Sequence, residues 1–202
     1  IHEPIESESP LICDMSSTIA SRPIDIKKYD LIFAGAQKNL GIAGVTILII
    51  KRNLLSRVNK GLLPILDYSK HAEDVSMLNT SPVFAWYVSG LIFDWIRDQG
   101  GVETMAKLNQ EKSTLLYNFI DQSSFYSNPV SRSYRSWMNI PFILSRNDLD
   151  DKFIKSAEDS GLLNLKGHRT VGGMRASVYN AMPIEGVKKL ISFMDEFAKL
   201  HE

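Results

Sequence analysis

The chain has 202 residues, with 23 Lys+Arg against 23 Asp+Glu, so its formal net charge is zero; 44% of its residues are hydrophobic and 23% are charged. These values describe an ordinary globular chain and exclude a disordered or fibrous one. The charge balance leaves no electrostatic case for nucleic acid or an anionic membrane as the main partner. The lone cysteine, Cys13, excludes an intrachain disulfide, argues against a cysteine-based zinc site and fits a reducing, cytoplasmic compartment.

Three short apolar runs open the chain. Leu11-Ile12-Cys13 ends at Asp14, Leu31-Ile32-Phe33-Ala34 runs into Gly35, and Val45 to Ile50 follows Gly41 and Gly44. Runs of this length suit buried strands covered on both faces. Even the longest is far short of the roughly 20 residues that span a bilayer. Lys60 to Thr80 is polar, holds Pro64 and reads as a loop. Ser81 is placed to cap a helix with Pro82 as its first residue; Val83 to Gln99 has helical spacing, and Gly100-Gly101 should end it. Val102 to Phe119 reads as a second amphipathic helix. Beyond it come a strand over Trp137 to Leu144, a helix from Asp148 to about Ser160 and a loop over Gly167 to Gly173. A strand over Met174 to Tyr179 and a helix over Pro183 to Leu200 complete the pattern. Trp86, Trp95 and Trp137 fall within these elements and read as packing residues, and Cys13 as a buried strand residue. The alternation predicts an α/β first part over residues 1–99 and an α+β module over residues 100–202.

Two residues stand where strands end. Lys38 follows the second run, in the turn Gly35-Ala36-Gln37-Lys38-Asn39. A lysine there can point into a cleft and form a Schiff base with a carbonyl; taken alone it also reads as a solvated surface lysine. Asp14 ends the first run, at a separation from Lys38 that suits strand, crossover, strand. Both would then lie at the carboxyl ends of neighbouring strands, where open α/β sheets bind ligands. Alone, Asp14 reads as a turn aspartate. Together they match the needs of pyridoxal 5'-phosphate (PLP): a lysine to carry the cofactor and move protons, and a carboxylate to keep its ring nitrogen protonated.

Four blocks then occur in order: Cys13-Asp14-Met15-Ser16-Ser17, Gly35-Ala36-Gln37-Lys38-Asn39, Asn79-Thr80-Ser81-Pro82, and His168-Arg169-Thr170-Val171-Gly172-Gly173-Met174-Arg175-Ala176-Ser177 continuing to Pro183. In order and spacing they resemble the phosphoserine aminotransferases, class V PLP-dependent enzymes. The resemblance implies the second half of a PLP-binding large domain, with a mostly parallel sheet, followed by a small C-terminal α+β domain. It implies a homodimer that moves an amino group between glutamate and 3-phosphohydroxypyruvate, giving O-phosphoserine and 2-oxoglutarate in serine biosynthesis. A related pyridoxine precursor is a second substrate in many bacteria. Lys38 would be the catalytic lysine, Asp14 would meet the ring nitrogen, and Gln37 would help hold the cofactor phosphate. Asn79 and Thr80 would reach the partner subunit's cofactor phosphate. His168, Arg169 and Arg175 would face the anionic substrate, as arginine forks suit carboxylate and phosphate; without the resemblance these three read as a structural histidine and surface ion-pair arginines.

The resemblance covers only the later part of the family's chain. The phosphate loop, the ring-stacking aromatic residue and a threonine near the ring hydroxyl belong to an earlier part, and the sequence does not open on Met. The expectation is therefore a fragment, inactive alone and prone to pair through exposed sheet edges. Two alternatives stay open. One is another PLP enzyme of the same fold, an aminotransferase or a desulfurase, and the other is a non-catalytic subunit that keeps the fold.

Overall fold

The computed structural model describes residues 4, 7–57, 59, 61–168 and 172–201. They divide into two compact units, Pro4–Val102 and Glu103–Glu202.

The first unit is built on strands β1 (Ile12–Asp14), β2 (Leu31–Gly35) and β3 (Thr46–Ile50), in the order β1-β2-β3. β1 runs parallel to β2, with Asp14 beside Phe33, whereas β3 is antiparallel to β2, with Thr46 beside Gly35. One of the two pairings is thus antiparallel, where a mostly parallel sheet is expected. The reason is length: only ten residues separate Gly35 from Thr46, and a parallel crossover needs about a dozen or more. Asp30 fastens the far end of this sheet. Its carboxylate accepts the Leu11 N–H at 2.8 Å and pairs with the Lys51 ammonium at 3.0 Å. Burial is one-sided in β2, where Ile32 and Ala34 are buried and Leu31 and Phe33 are half-buried; Ile12 is exposed and Cys13 only half-buried. The expectation of strands and a cysteine buried on both faces fails in these residues.

Short helices α1 (Arg52–Leu55) and α2 (Tyr68–Glu73) follow. The second lies inside the segment expected to be a loop. It starts because Asp67 caps it, accepting the Ser69 N–H at 2.9 Å. Helix α3 (Val83–Asp98) begins one residue later than expected: Pro82, not Ser81, occupies the cap position, with no side-chain hydrogen bond. Its buried residues are Ala85, Ser89 and Ile96, while Phe84, Trp86 and Tyr87 are more than half exposed. Trp86 is therefore not a packing residue within this unit.

Helix α4 (Gly101–Gln122) begins at Gly101 rather than after it. Its inward stripe is Met105, Asn109, Lys112, Ser113, Leu116, Tyr117 and Ile120, the i, i+3, i+4 pattern of one face. The second unit then places β4 (Tyr126–Ser127), β5 (Asn139–Leu144) and β6 (Met174–Ser177) in one antiparallel sheet of order β4-β5-β6. Helices α5 (Asp150–Asp159) and α6 (Ile184–His201) complete it. Its core joins Leu116 and Ile120 of α4, Ile140 and Phe142 of β5, Phe153 of α5, and Leu190, Met194 and Phe197 of α6. No described helix is long and apolar enough to cross a membrane.

Candidate active site

The end of β1 and the turn after β2 are shaped by small, buried residues. Ala36 and Leu40 are buried and close a single helical turn, Leu40 N–H to Ala36 C=O at 3.0 Å. Asn39 is also buried; its side-chain amide donates to the Ser17 carbonyl at 3.3 Å and the Ile19 carbonyl at 3.1 Å, strapping the turn to the β1–β2 connection. With those three residues inward, Gln37 and Lys38 face out. A Cβ at Gly35 would collide with the Gln37 side-chain amide, so the glycine lets Gln37 fold back over the strand end.

Asp14 is held by Ser16. The Ser16 N–H donates to Asp14 Oδ1 at 2.8 Å and the Ser16 hydroxyl to the same oxygen at 2.6 Å. The Ser16 hydroxyl in turn accepts the Gly35 N–H at 3.0 Å, which ties the carboxylate to the end of β2. Both bonds fall on Oδ1, and Oδ2 accepts none from the described residues. The hydroxyl and N–H of Ser16 hold the Asp14 carboxyl below the usual carboxylate range, with a smaller pull from the Lys38 charge. Apart from that mutual attraction, the Lys38 amine makes no hydrogen bond or ion pair with the described residues. The structure thus brings together Asp14, Gln37 and Lys38.

One prediction arises from Ser16. Because the folded pKa of Asp14 is lowered, the Ser16–Asp14 link is intact above the ordinary carboxylate value and is lost as pH falls through the lowered one. Ser16→Ala should raise the Asp14 pKa toward the ordinary value and speed hydrogen exchange at the Gly35 amide. Carboxyl NMR titration with amide exchange checks this; an unmoved Asp14 would refute it.

Asn79 and Thr80 lie in the exposed stretch before α3. The Asn79 amide donates to the Thr80 carbonyl at 3.1 Å, and neither residue hydrogen-bonds to Asp14, Gln37 or Lys38.

The other candidates belong to the second unit. Arg169 lies outside the described residues. His168 is exposed, and its carbonyl accepts the Gly172 N–H at 2.8 Å. Gly172 and Gly173 have φ of +77° and +60°, and a Cβ at Gly173 would lie 2.8 Å from the Phe142 carbonyl oxygen. The loop into β6 therefore needs glycine at that position. Arg175 sits in β6 opposite Pro141, and its N–H donates to the Leu165 carbonyl at 2.7 Å. Its side-chain Nε is buried and has no hydrogen-bond partner among the described residues, the condition of a donor awaiting an acceptor. A separate pocket of about 390 Å³ is lined by Arg132, Arg135 and Trp137, but both arginines already pair with Asp121, at 3.1 and 2.7 Å. Among the described residues no group of three or more His, Cys, Asp or Glu is placed to hold a metal.

Sequence reasoning assigned no role to Ser16 or Asn39. The signal for Ser16 was its place two residues after Asp14, the spacing of an Asx turn.

The family described as Aminotransferase class-V matches residues 5–190. A phosphoserine aminotransferase of Pseudomonas fluorescens (strain SBW25) is 54% identical over 198 residues, which are 98% of this chain and 55% of that protein. A solved phosphoserine aminotransferase from Bacillus circulans subsp. alkalophilus superposes with a TM-score of 0.93 at 43% identity, over 97% of this chain and 55% of that one. PLP-bound phosphoserine aminotransferase from Trichomonas vaginalis gives a TM-score of 0.90 at 41% identity, over 96% of this chain and 55% of that one. The chain spans about half the length of the curated relatives it matches.

Proposed function

The chain belongs to the class-V aminotransferase family, and from that premise we propose that it carries the lysine, the carboxylate and the anion-binding arginines of a PLP-dependent phosphoserine aminotransferase. The observation that carries the reading is the pairing of an uncommitted amine, Lys38, with a carboxylate, Asp14, whose Oδ1 is fixed and whose Oδ2 is open.

That donor set fits PLP. Bound there, the cofactor supplies an electron sink for negative charge developing at the substrate α-carbon. The Lys38 amine would hold the cofactor carbonyl and, once free, take and return the proton at the substrate α-carbon. Asp14 Oδ2 would accept the ring N–H and, as an anion, keep that nitrogen protonated. Gln37 would reach the cofactor phosphate. Asn79 and Thr80 would serve the cofactor of a second copy of the chain, and the apolar face of α3 supports a homodimer. His168, Arg169 and Arg175 would bind the anionic groups of glutamate and of the phosphorylated 2-oxo acid; the open Nε of Arg175 supports this. The matched relatives are nearly twice as long. The reaction is therefore ascribed to the chain together with the further residues those relatives carry, and the 202 residues alone are expected to be inert.

The test is borohydride reduction of the complete gene product loaded with PLP, followed by peptide mass mapping. The expected result is a pyridoxyl label on Lys38 alone, with transamination that requires O-phosphoserine rather than serine. A folded protein that takes no label at Lys38 would overturn the reading. Equal turnover of serine would move it to another PLP enzyme of the same fold.

A further inference from the structure

Lys112 is a lysine in the wrong place for a solvated one. It lies on the inward stripe of α4 and is 3% exposed. Its ammonium donates to three backbone carbonyls: Tyr179 at 2.8 Å, Met182 at 2.9 Å and Val178 at 3.3 Å. An ammonium has three N–H donors, so its hydrogen bonding is complete, and among the described residues no carboxylate pairs with it. Burial alone pushes its pKa down to about 8, so near neutral pH it still carries all three donors. One turn earlier on α4, the Asn109 amide donates to Asn180 Oδ1 at 2.8 Å. Two buried side chains of one helix therefore hold the connection from β6 to α6.

That connection continues the strand that carries Arg175. Successive side chains of a strand alternate between faces, so Arg175 and Ser177 share the face opposite buried Met174 and Ala176. Asn139 fixes this face from β5: its Oδ1 accepts the Ser177 hydroxyl at 3.3 Å and the Tyr179 hydroxyl at 3.1 Å. Tyr179 is thus gripped twice, by its hydroxyl and, through Lys112, by its carbonyl. Arg175 has no such grip at Nε, which is buried and without a hydrogen-bond partner among the described residues. Its position is inherited from the main chain of β6.

We propose that Lys112 is a positioning residue: by gathering the carbonyls of Val178, Tyr179 and Met182 it holds β6 so that Arg175 meets the anionic substrate. The inference rests on the substrate role given to Arg175 above. Lys112 is buried with all three donors spent on the main chain, so it has none left for substrate or cofactor. Its loss should therefore weaken substrate binding far more than it slows the chemistry, whereas a purely structural lysine would affect stability and leave KM alone.

The experiment uses the full-length PLP-loaded enzyme and Lys112→Met, with Lys112→Arg as the conservative variant. Expected for Lys112→Met is a KM for O-phosphoserine raised about tenfold with kcat within about twofold, and Lys112→Arg should return KM to within about threefold of the parent. Amide exchange should quicken over residues 174–182 in Lys112→Met, a readout independent of turnover. Should Lys112→Met not fold, Lys112→Gln, which keeps two donors and no charge, should raise KM about threefold. An unchanged KM in a folded variant overturns the inference, as does a loss confined to kcat or equal for Arg and Met. A parent enzyme that does not turn over O-phosphoserine overturns the functional reading and this inference with it. A parent that does, beside an unaffected variant, overturns this inference alone.

Discussion

Replacing Lys38 with alanine is expected to lower transamination by the full-length enzyme by more than about a thousandfold, the range in which a combined nucleophile and proton carrier is lost. The same change should cost less than about 0.5 kcal/mol of stability, as at exposed positions generally. Lys38 is exposed and makes no hydrogen bond or ion pair with the described residues, so nothing in the turn depends on its amine. The turn is held instead by Ala36, Asn39 and Leu40. Lys38→Arg separates charge from chemistry. Arginine keeps the positive charge that attracts Asp14 but cannot be deprotonated, so it can neither attack a carbonyl nor accept a proton. It should be as inactive as alanine. Single-turnover rates with glutamate, beside thermal denaturation of each variant, check both halves. Retention of a tenth of the activity by Lys38→Arg would sink the assignment.

The positions of Asp14 and Lys38 are legible because chemistry and hydrophobic pattern coincide there. Two apolar runs end, the first at an acid and the second in a turn that carries a base. What fixes those residues is far less legible. Ser16 and Asn39 are ordinary turn residues by type, and only the hydrogen bonds to Asp14, Gly35, Ser17 and Ile19 distinguish them. Lys112 is hidden for a different reason. A lysine among Glu111, Gln110 and Lys107 on a long helix reads as part of a wet face. Its real environment depends on carbonyls some 70 residues away in the chain, at Val178, Tyr179 and Met182.

The fold divides along similar lines. The long helices and the strands β2, β3, β5 and β6 follow from periodicity and apolar runs. Strand β4 has two residues, too few for any pattern to register, and α2 depends on the Asp67 cap more than on hydrophobic spacing. The direction of β3 was legible in principle, since ten residues leave no room for a crossover; an apolar run alone looks the same in either direction. The exposed aromatic face of α3 has another origin. Periodicity says which residues share a face of a helix, not what covers that face.

The largest stability effect is expected at Phe153. Its ring is fully buried and lies 5.1 to 6.1 Å from the rings of Phe197, Phe193, Phe142 and Tyr126, edge to face in all four pairs. It touches rings from β4, β5 and α6 together. Phe153→Ala removes the buried ring and leaves a cavity that tightly packed neighbours fill only in part; such changes cost about 3–5 kcal/mol. At about 1.4 kcal/mol per decade, protection of the slowest amides of β5 should fall by roughly two to three and a half orders of magnitude. Phe153→Leu, which keeps most of the volume, should lose well under half of that. Hydrogen exchange at Ile140 and Phe142 in the full-length protein measures both. On the substrate role proposed for Arg175, the consequence extends to substrate binding, because Phe142 pairs with Met174 in β6, beside Arg175. Loosening this core should raise KM for O-phosphoserine in step with the lost protection. A Phe153→Ala protein with β5 protection reduced less than about tenfold would show that α5 contributes little to the core that holds the arginine strand.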